Sequence, residues 1–284
     1  MKPLCLYHRS DLDGKCSGHI VSRFVEDVEL LGVEYGDELP WNQFNSRTIY
    51  LVDFSLQPWS DMERLAEVSE HLIWIDHHKS ALLDYDESGL NLDGRLDTTK
   101  AACELCWEFF TSKPIPKAVY LLGRYDVWDL AADDLVLPFQ MGMRLQPWSP
   151  DDKQWDLFFQ IGWEDHLFPI VRDGNVILKY QENTNRRIMA KAFEHEWEGY
   201  LFLAVNAGGL NSQAFESRYD PDEHHAVMAF FYDGSQKQWT VSMYSPDQSS
   251  DLSGLAKKMG GGGHAAACGF QVNSLAQIGL NDEY

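Results

Sequence analysis

Imidazoles and carboxylates gather in short stretches of this chain, a combination of donors that suits a divalent cation. His8, Asp11 and Asp13 fall within HRSDLDG, Asp53 follows TIYLV, and Asp76, His77 and His78 follow LIWI. Nitrogen and oxygen donors of this kind fit Mn²⁺ or a related divalent ion better than a thiolate-rich structural zinc site. The HRSDLDG loop can turn His8 and one aspartate toward a first ion and the other aspartate toward a second, with Gly14 freeing the backbone to turn. An aspartate placed like Asp53 can bridge two ions, or it can simply cap the turn that follows. In the DHH stretch the change from strand to loop sends the two imidazoles in different directions. His77 is the expected metal ligand and His78 the expected contact for a phosphate or a water. Asp76 is either a further ligand or the hydrogen-bond partner that fixes an imidazole. Asp126 in GRYDVWD is expected to complete the set, with Asp129 as its competitor. Two ions sharing Asp53 would acidify and orient a water while polarising a phosphate. That chemistry is hydrolysis without a covalent protein intermediate, with Asp53, Asp76 and His78 as its catalytic residues.

Such a centre needs elements that bring distant residues to one edge. Lys2 to Tyr7, Thr48 to Val52 and Leu72 to Ile75 are short apolar runs that suit buried parallel strands, and each leads into one of the acidic stretches. Helices are expected between them. Ile20, Val21, Phe24, Val25 and Val28 recur on one helical face, and SDME from Ser60 has the form of a capping box. Ligands of open α/β sheets collect beyond the C-terminal strand ends, where these residues would converge.

Further along, WDLFFQIGW is expected to begin another packed helix, and Val176 to Tyr200 a long connecting one. YLFLAV, VMAFFY and QWTVSMY have the composition of strands, SGLAKKM of a short helix, and HAAACGFQV of a final strand. The expected fold is therefore α/β: a parallel-sheet metal-binding domain over 1–175, a helical connector over 176–199, and a smaller mixed-sheet α/β substrate domain over 200–284. In the last of these, Gly261, Gly262 and Gly263 permit close backbone approach and offer N–H groups to a phosphate. His264 would contact the same phosphate or a sugar edge, aided by the N-terminus of a helix over AAAC. The segment lacks the Gly-Lys-Ser/Thr ending of a P-loop.

Composition narrows the partners. The formal charge of −21 opposes a broad face for duplex nucleic acid, while a local pocket can still take a small phosphate-bearing nucleotide or short oligonucleotide. Five cysteines do not make a disulfide framework, and Cys103 with Cys106 is expected to pack in an apolar helix. No apolar run is long enough to span a bilayer, and the N-terminus is charged before a signal-like core develops, so a cytoplasmic protein is expected. Arg124 can serve either a phosphate or a neighbouring carboxylate. Asn206, Arg218 and His225 are further substrate-side candidates.

Taken together, HRSDLDG, VDFS, the Asp76 triplet, GRYDVWD and GGGGHAAACGF resemble the motifs of the DHH phosphoesterase family over most of the chain. One departure is that two residues separate His8 from Asp11, where related motifs often have one or three. The resemblance implies that His8, Asp11 and Asp53 hold one ion, and Asp13, Asp53, His77 and Asp126 the other. Mn²⁺ is the first candidate, with Mg²⁺ or Co²⁺ as alternatives. It also implies that His78 and His264 meet the substrate, a short oligoribonucleotide, a bisphosphorylated nucleoside or a linear dinucleotide. Pyrophosphate hydrolysis and inactive nucleotide sensing are the alternatives.

Overall fold

The computed structural model describes residues 1–159 and 164–280, which divide into two units, Met1–Leu178 and Lys179–Tyr284. The first is built on β1 (Leu4–His8), β2 (Glu29–Val33), β3 (Thr48–Val52), β4 (His71–Asp76) and β5 (Asp93–Leu96). These pair in the order β2-β1-β3-β4-β5, all parallel. Side chains alternate across the pleat, so each strand feeds two cores. Leu4, Leu6, Ile49, Leu51, Leu72 and Trp74 pack on one face with Met62 and Leu65 of α2 (Trp59–Val68) and Ala81 of α3 (Lys79–Ser88). Cys5, Val52, Ile73 and Ile75 pack on the other with α1 (Leu12–Phe24), α4 (Ala102–Phe110) and α5 (Lys117–Asp126). Covering both faces is what an all-parallel sheet requires, and it explains why the central strands β1, β3 and β4 are mostly apolar, while the edge strand β5 (DGRL) is polar and exposed. Cys103 and Cys106 are buried and unpaired within α4, as expected from their apolar surroundings. Next come α6 (Val136–Met143) and the single turn α7 (Trp155–Phe158); Gln160–Trp163 of the expected helix lie outside the described residues.

The second unit carries β6 (Phe193–Trp197), β7 (Tyr200–Asn206), β8 (Ala226–Asp233), β9 (Gln238–Tyr244), β10 (Gly262–His264) and β11 (Ala267–Val272). Their order is β10-β11-β9-β8-β7-β6, antiparallel except for the parallel β7–β8 pair. Met228, Phe230, Val241 and Phe270 pack with Leu252 and Ala256 beside and within α9 (Ser253–Lys258). Among the described residues no helix is long and apolar enough to cross a membrane.

Several local expectations are corrected. The long helix, α8, runs Glu164–Met189 and not 176–199: residues 193–197 pair with β7 as β6, because the ladder there buries His195 and Trp197 alternately. Ser60 lies inside α2 rather than at its cap; Pro58 is the N-cap, with no side-chain capping bond. Val25 caps the C-terminus of α1, leaving Val28 beyond the helix. No helix follows His264, since a tight hairpin joins β10 directly to β11.

Candidate metal centre

Strand ends and helix starts bring the first-unit candidates to one edge. His8 is the last residue of β1, Asp53 follows β3, and His77 and His78 follow β4; these three strands are neighbours. Asp53 sits in the left-handed region at φ 55°, a conformation that aspartate tolerates better than most residues. Its N–H donates to the Ile75 carbonyl at 3.0 Å, which fixes the turn between β3 and β4. Asp11 caps α1 by accepting from the Gly14 N–H at 2.8 Å. A Cβ on Gly14 would lie 2.1 Å from the His8 carbonyl oxygen, so only glycine lets α1 start so close to the end of β1.

The side chains form two overlapping donor groups. In the first, His8 Nδ1 lies 2.6 Å from Asp11 Oδ2 and 3.6 Å from Asp53 Oδ2. In the second, His77 Nε2 lies 3.2 Å from Asp126 Oδ2, 3.3 Å from Asp53 Oδ1 and 3.7 Å from Asp13 Oδ2. Asp53 thus turns one oxygen toward each imidazole. Ligating atoms within His8–Asp11–Asp53, within Asp13–His77–Asp126 and within Asp53–Asp76–His77–His78 lie inside 4.8 Å of one another. Asp53 Oδ2, Asp76 Oδ2 and His77 Nε2 are buried without a hydrogen-bond partner, an arrangement that suits cation ligands. The structure also separates the two candidates: Asp126, the last residue of α5, joins His77, whereas Asp129 beyond the helix is half-exposed and lies 3.6 Å from Arg124 Nη1.

The electrostatics describe the same concentration of negative charge. Burial, reinforced by neighbouring carboxylates, pushes Asp13 and Asp53 well above the ordinary range. Asp126 is pushed up to about 7, first by burial and then by Asp13. Burial also acts upward on Asp11, but the His8 hydrogen bond and the Gly14 N–H outweigh it and hold that group low. A divalent cation would relieve this crowding.

Asp76 is fully buried and accepts from the His77 N–H at 2.8 Å; its Oδ1 lies 2.7 Å from His78 Nδ1. That contact orients the part-exposed His78 ring and, as the first cause, raises its pKa to about 9. Several participants were not evident in the sequence. Glu34 Oε1 lies 3.3 Å from His8 Nε2, on the side away from Asp11. The N–H groups of Ala102 and Cys103 hold Asp13. Arg124 serves carboxylates, pairing with Glu104, which in turn caps the N-terminus of α4 at Ala101.

In the second unit, Gly262, Gly263 and His264 form the edge strand β10, and His264 is exposed rather than buried. Gly261 precedes it and donates to the Ala256 carbonyl at 2.8 Å. Arg218 is committed to the Met189 and Ala192 carbonyls at the end of α8, and His225 Nδ1 accepts from the Leu201 N–H.

No family model matches the chain. Protein R106 of Acanthamoeba polyphaga mimivirus is 24% identical over 265 residues, 88% of this chain and 58% of the relative, so the chain spans less than two thirds of that protein. Among solved structures, the pGpG-specific phosphodiesterase PggH from Vibrio cholerae superimposes with a TM-score of 0.55 at 14% identity, covering 96% of this chain and 93% of the other. An exopolyphosphatase-related protein from Bacteroides fragilis gives 0.51 at 12% identity, covering 95% and 86%. The exonuclease RecJ bound to manganese gives 0.50 at 14%, covering 98% and 87%. These likenesses establish the fold, which is the DHH-type α/β architecture that the motifs led one to expect.

Proposed function

We propose that this chain is a DHH-type, divalent-metal-dependent phosphoesterase that hydrolyses short nucleotide phosphodiesters or nucleoside phosphates. The observation that carries the reading is the position of Asp53, with one oxygen toward His8 and Asp11 and the other toward His77. His8, Asp11 and Asp53 would hold one ion, and Asp13, Asp53, His77 and Asp126 a second, with Mn²⁺ preferred. Bound there, such ions supply Lewis-acid activation of water and of the phosphate.

The remaining work falls to the chain itself. Asp53, fixed by its backbone bond to Ile75, sets the separation of the two donor groups. The α4 N–H groups hold Asp13 in place without occupying a side chain. His78, oriented by Asp76, donates to a non-bridging phosphate oxygen as charge builds on it. Gly261, Gly262, Gly263 and His264 are the proposed contacts for a second part of the substrate. A nucleotide substrate is favoured by the likeness to a phosphodiesterase described as pGpG-specific, and short length by the chain's acidity.

The test is product analysis with a 5′-phosphorylated diribonucleotide, using metal-free protein before and after Mn²⁺ is added. Mononucleotide release only with metal is the expected result. A folded, metal-loaded protein that releases none removes short-RNA cleavage and moves the search to bisphosphorylated nucleosides and pyrophosphate.

A further inference from the structure

Just past Asp126 the chain does something costly that the metal centre does not require. Trp128 takes a left-handed backbone conformation, φ 59°, which a bulky side chain rarely adopts, and its indole is 56% exposed. The conformation is held from both sides: the Val127 N–H donates to Gly123, the Trp128 N–H to Tyr125 and the Asp129 N–H to Arg124, at 2.8 to 3.1 Å. These bonds close the C-terminus of α5 with Trp128 in the left-handed position that usually takes glycine, so a bulky aromatic stands where helix capping alone favours the smallest residue. Trp128 is two residues from Asp126, so their Cα atoms are within about 7 Å.

The indole is also supported. The Tyr125 ring meets it edge to face at a centroid separation of 5.7 Å, and more than half of the tryptophan stays exposed. Arg144 donates to the Tyr125 hydroxyl at 3.0 Å and places its guanidinium 5.3 Å from that ring's centroid. Arg144 is exposed and forms no ion pair with a carboxylate among the described residues. An exposed indole and a guanidinium joined through Tyr125, close in the chain to a centre that suits phosphate chemistry, match the two halves of a nucleotide. A base stacks on an indole whatever its identity, and arginine takes up phosphate oxygens through its planar fork.

The geometry points to Trp128, backed by Tyr125 and Arg144, as the platform that stacks the nucleobase of the nucleotide at the metal centre. This inference rests on the nucleotide reading above and adds to it the residue that would distinguish a nucleotide from a bare phosphate ester. Stacking tolerates any base, so the platform favours nucleotides over sugar phosphates without choosing among bases.

Calorimetric titration of Mn²⁺-loaded protein with AMP and with ribose 5-phosphate tests it, with the melting temperature of each variant recorded in parallel. Trp128→Ala is expected to weaken AMP binding about 10-fold, leave ribose 5-phosphate binding unchanged and retain the fold, while Trp128→Phe keeps AMP affinity within about 3-fold. Equal AMP affinity in wild type and Trp128→Ala overturns the assignment, as does equal weakening of both ligands or a wild-type protein that binds no AMP. Diribonucleotide hydrolysis by the wild type is scored separately. A protein that stacks AMP on Trp128 without cleaving the dinucleotide keeps the platform and loses the phosphoesterase reading; one that cleaves it with AMP affinity unaffected by Trp128→Ala does the reverse.

Discussion

Asp13 Oδ1 accepts a hydrogen bond from the Cys103 N–H at 2.8 Å, and its other oxygen accepts one from Ala102 at 2.9 Å. The N-terminus of α4, with its unpaired N–H groups and positive end of the helix dipole, thus holds a carboxylate whose pKa burial pushes well above the ordinary range. Asp13→Ala removes a proposed ligand and strands two buried donors. It should lower stability by about 1 to 3 kcal/mol, and Mn²⁺ should no longer raise its melting temperature as it does that of the wild type. Thermal melts with and without Mn²⁺ check this. A variant whose melting temperature and metal response match the wild type would show that α4 does not organise the centre.

His78 should separate chemistry from metal binding. Its ring stands within 4.8 Å of ligating atoms of Asp53, Asp76 and His77, but its Nδ1 is taken up by Asp76 at 2.7 Å, and the proposed ligand sets are complete without it. His78→Ala is therefore expected to lose about 100-fold or more in kcat while keeping its bound manganese, measured by elemental analysis after desalting. Loss of metal together with activity would instead make His78 a ligand.

Much of this centre was legible because a parallel strand buried on both faces is apolar until it ends, and in β1, β3 and β4 the residues that break the run are the ones that converge. The preference for Asp126 over Asp129 could not be settled from local sequence, since the choice depends on where α5 ends relative to His77. Glu34, Ala102 and Cys103 act through contacts 26 to 90 residues away, and nothing in their local pattern announces them. β6 was hidden for a different reason: FEHEW has helix-forming glutamates, and its alternation appears only once His195 and Trp197 are buried by the second sheet. The AAAC segment likewise has helical composition, overridden by pairing with β9 and β10.

A pH effect should arise away from the metal centre, at His19. Its ring is buried; Nδ1 lies 2.7 Å from the Pro150 carbonyl, and the charged groups facing it are Asp156, with Oδ1 3.7 Å from Nε2, and Arg23, which pairs with that same aspartate. Burial, as the first cause, holds the His19 pKa below its ordinary 6.5. A depressed folded-state pKa means that the unfolded chain takes up a proton first as pH falls. Stability from this group is present above 6.5 and is lost as pH drops through the folded value. Urea unfolding at pH 7.5 and 5.5 should show the wild type losing more stability than His19→Gln over that interval, and equal losses would count against the assignment.

The glycine strand offers a way to tell folding from substrate contact. Gly263 has φ 129°, and a Cβ there would lie 2.6 Å from the Ala267 carbonyl oxygen, so Gly263→Ala must disturb the β10–β11 hairpin. A loss of about 1 to 3 kcal/mol is expected. At Gly262 a Cβ meets nothing within 4 Å, so Gly262→Ala should leave the melting temperature close to that of the wild type. If the strand serves only the fold, Gly262→Ala is silent in every assay. If it holds part of the substrate, as proposed, the added methyl group blocks close approach and raises KM for the diribonucleotide several-fold with the melting temperature unchanged. Because the substitution lies outside the metal ligands, bound manganese should be unaffected in both cases, and a fall in metal content would mean that the change in KM says nothing about substrate contact.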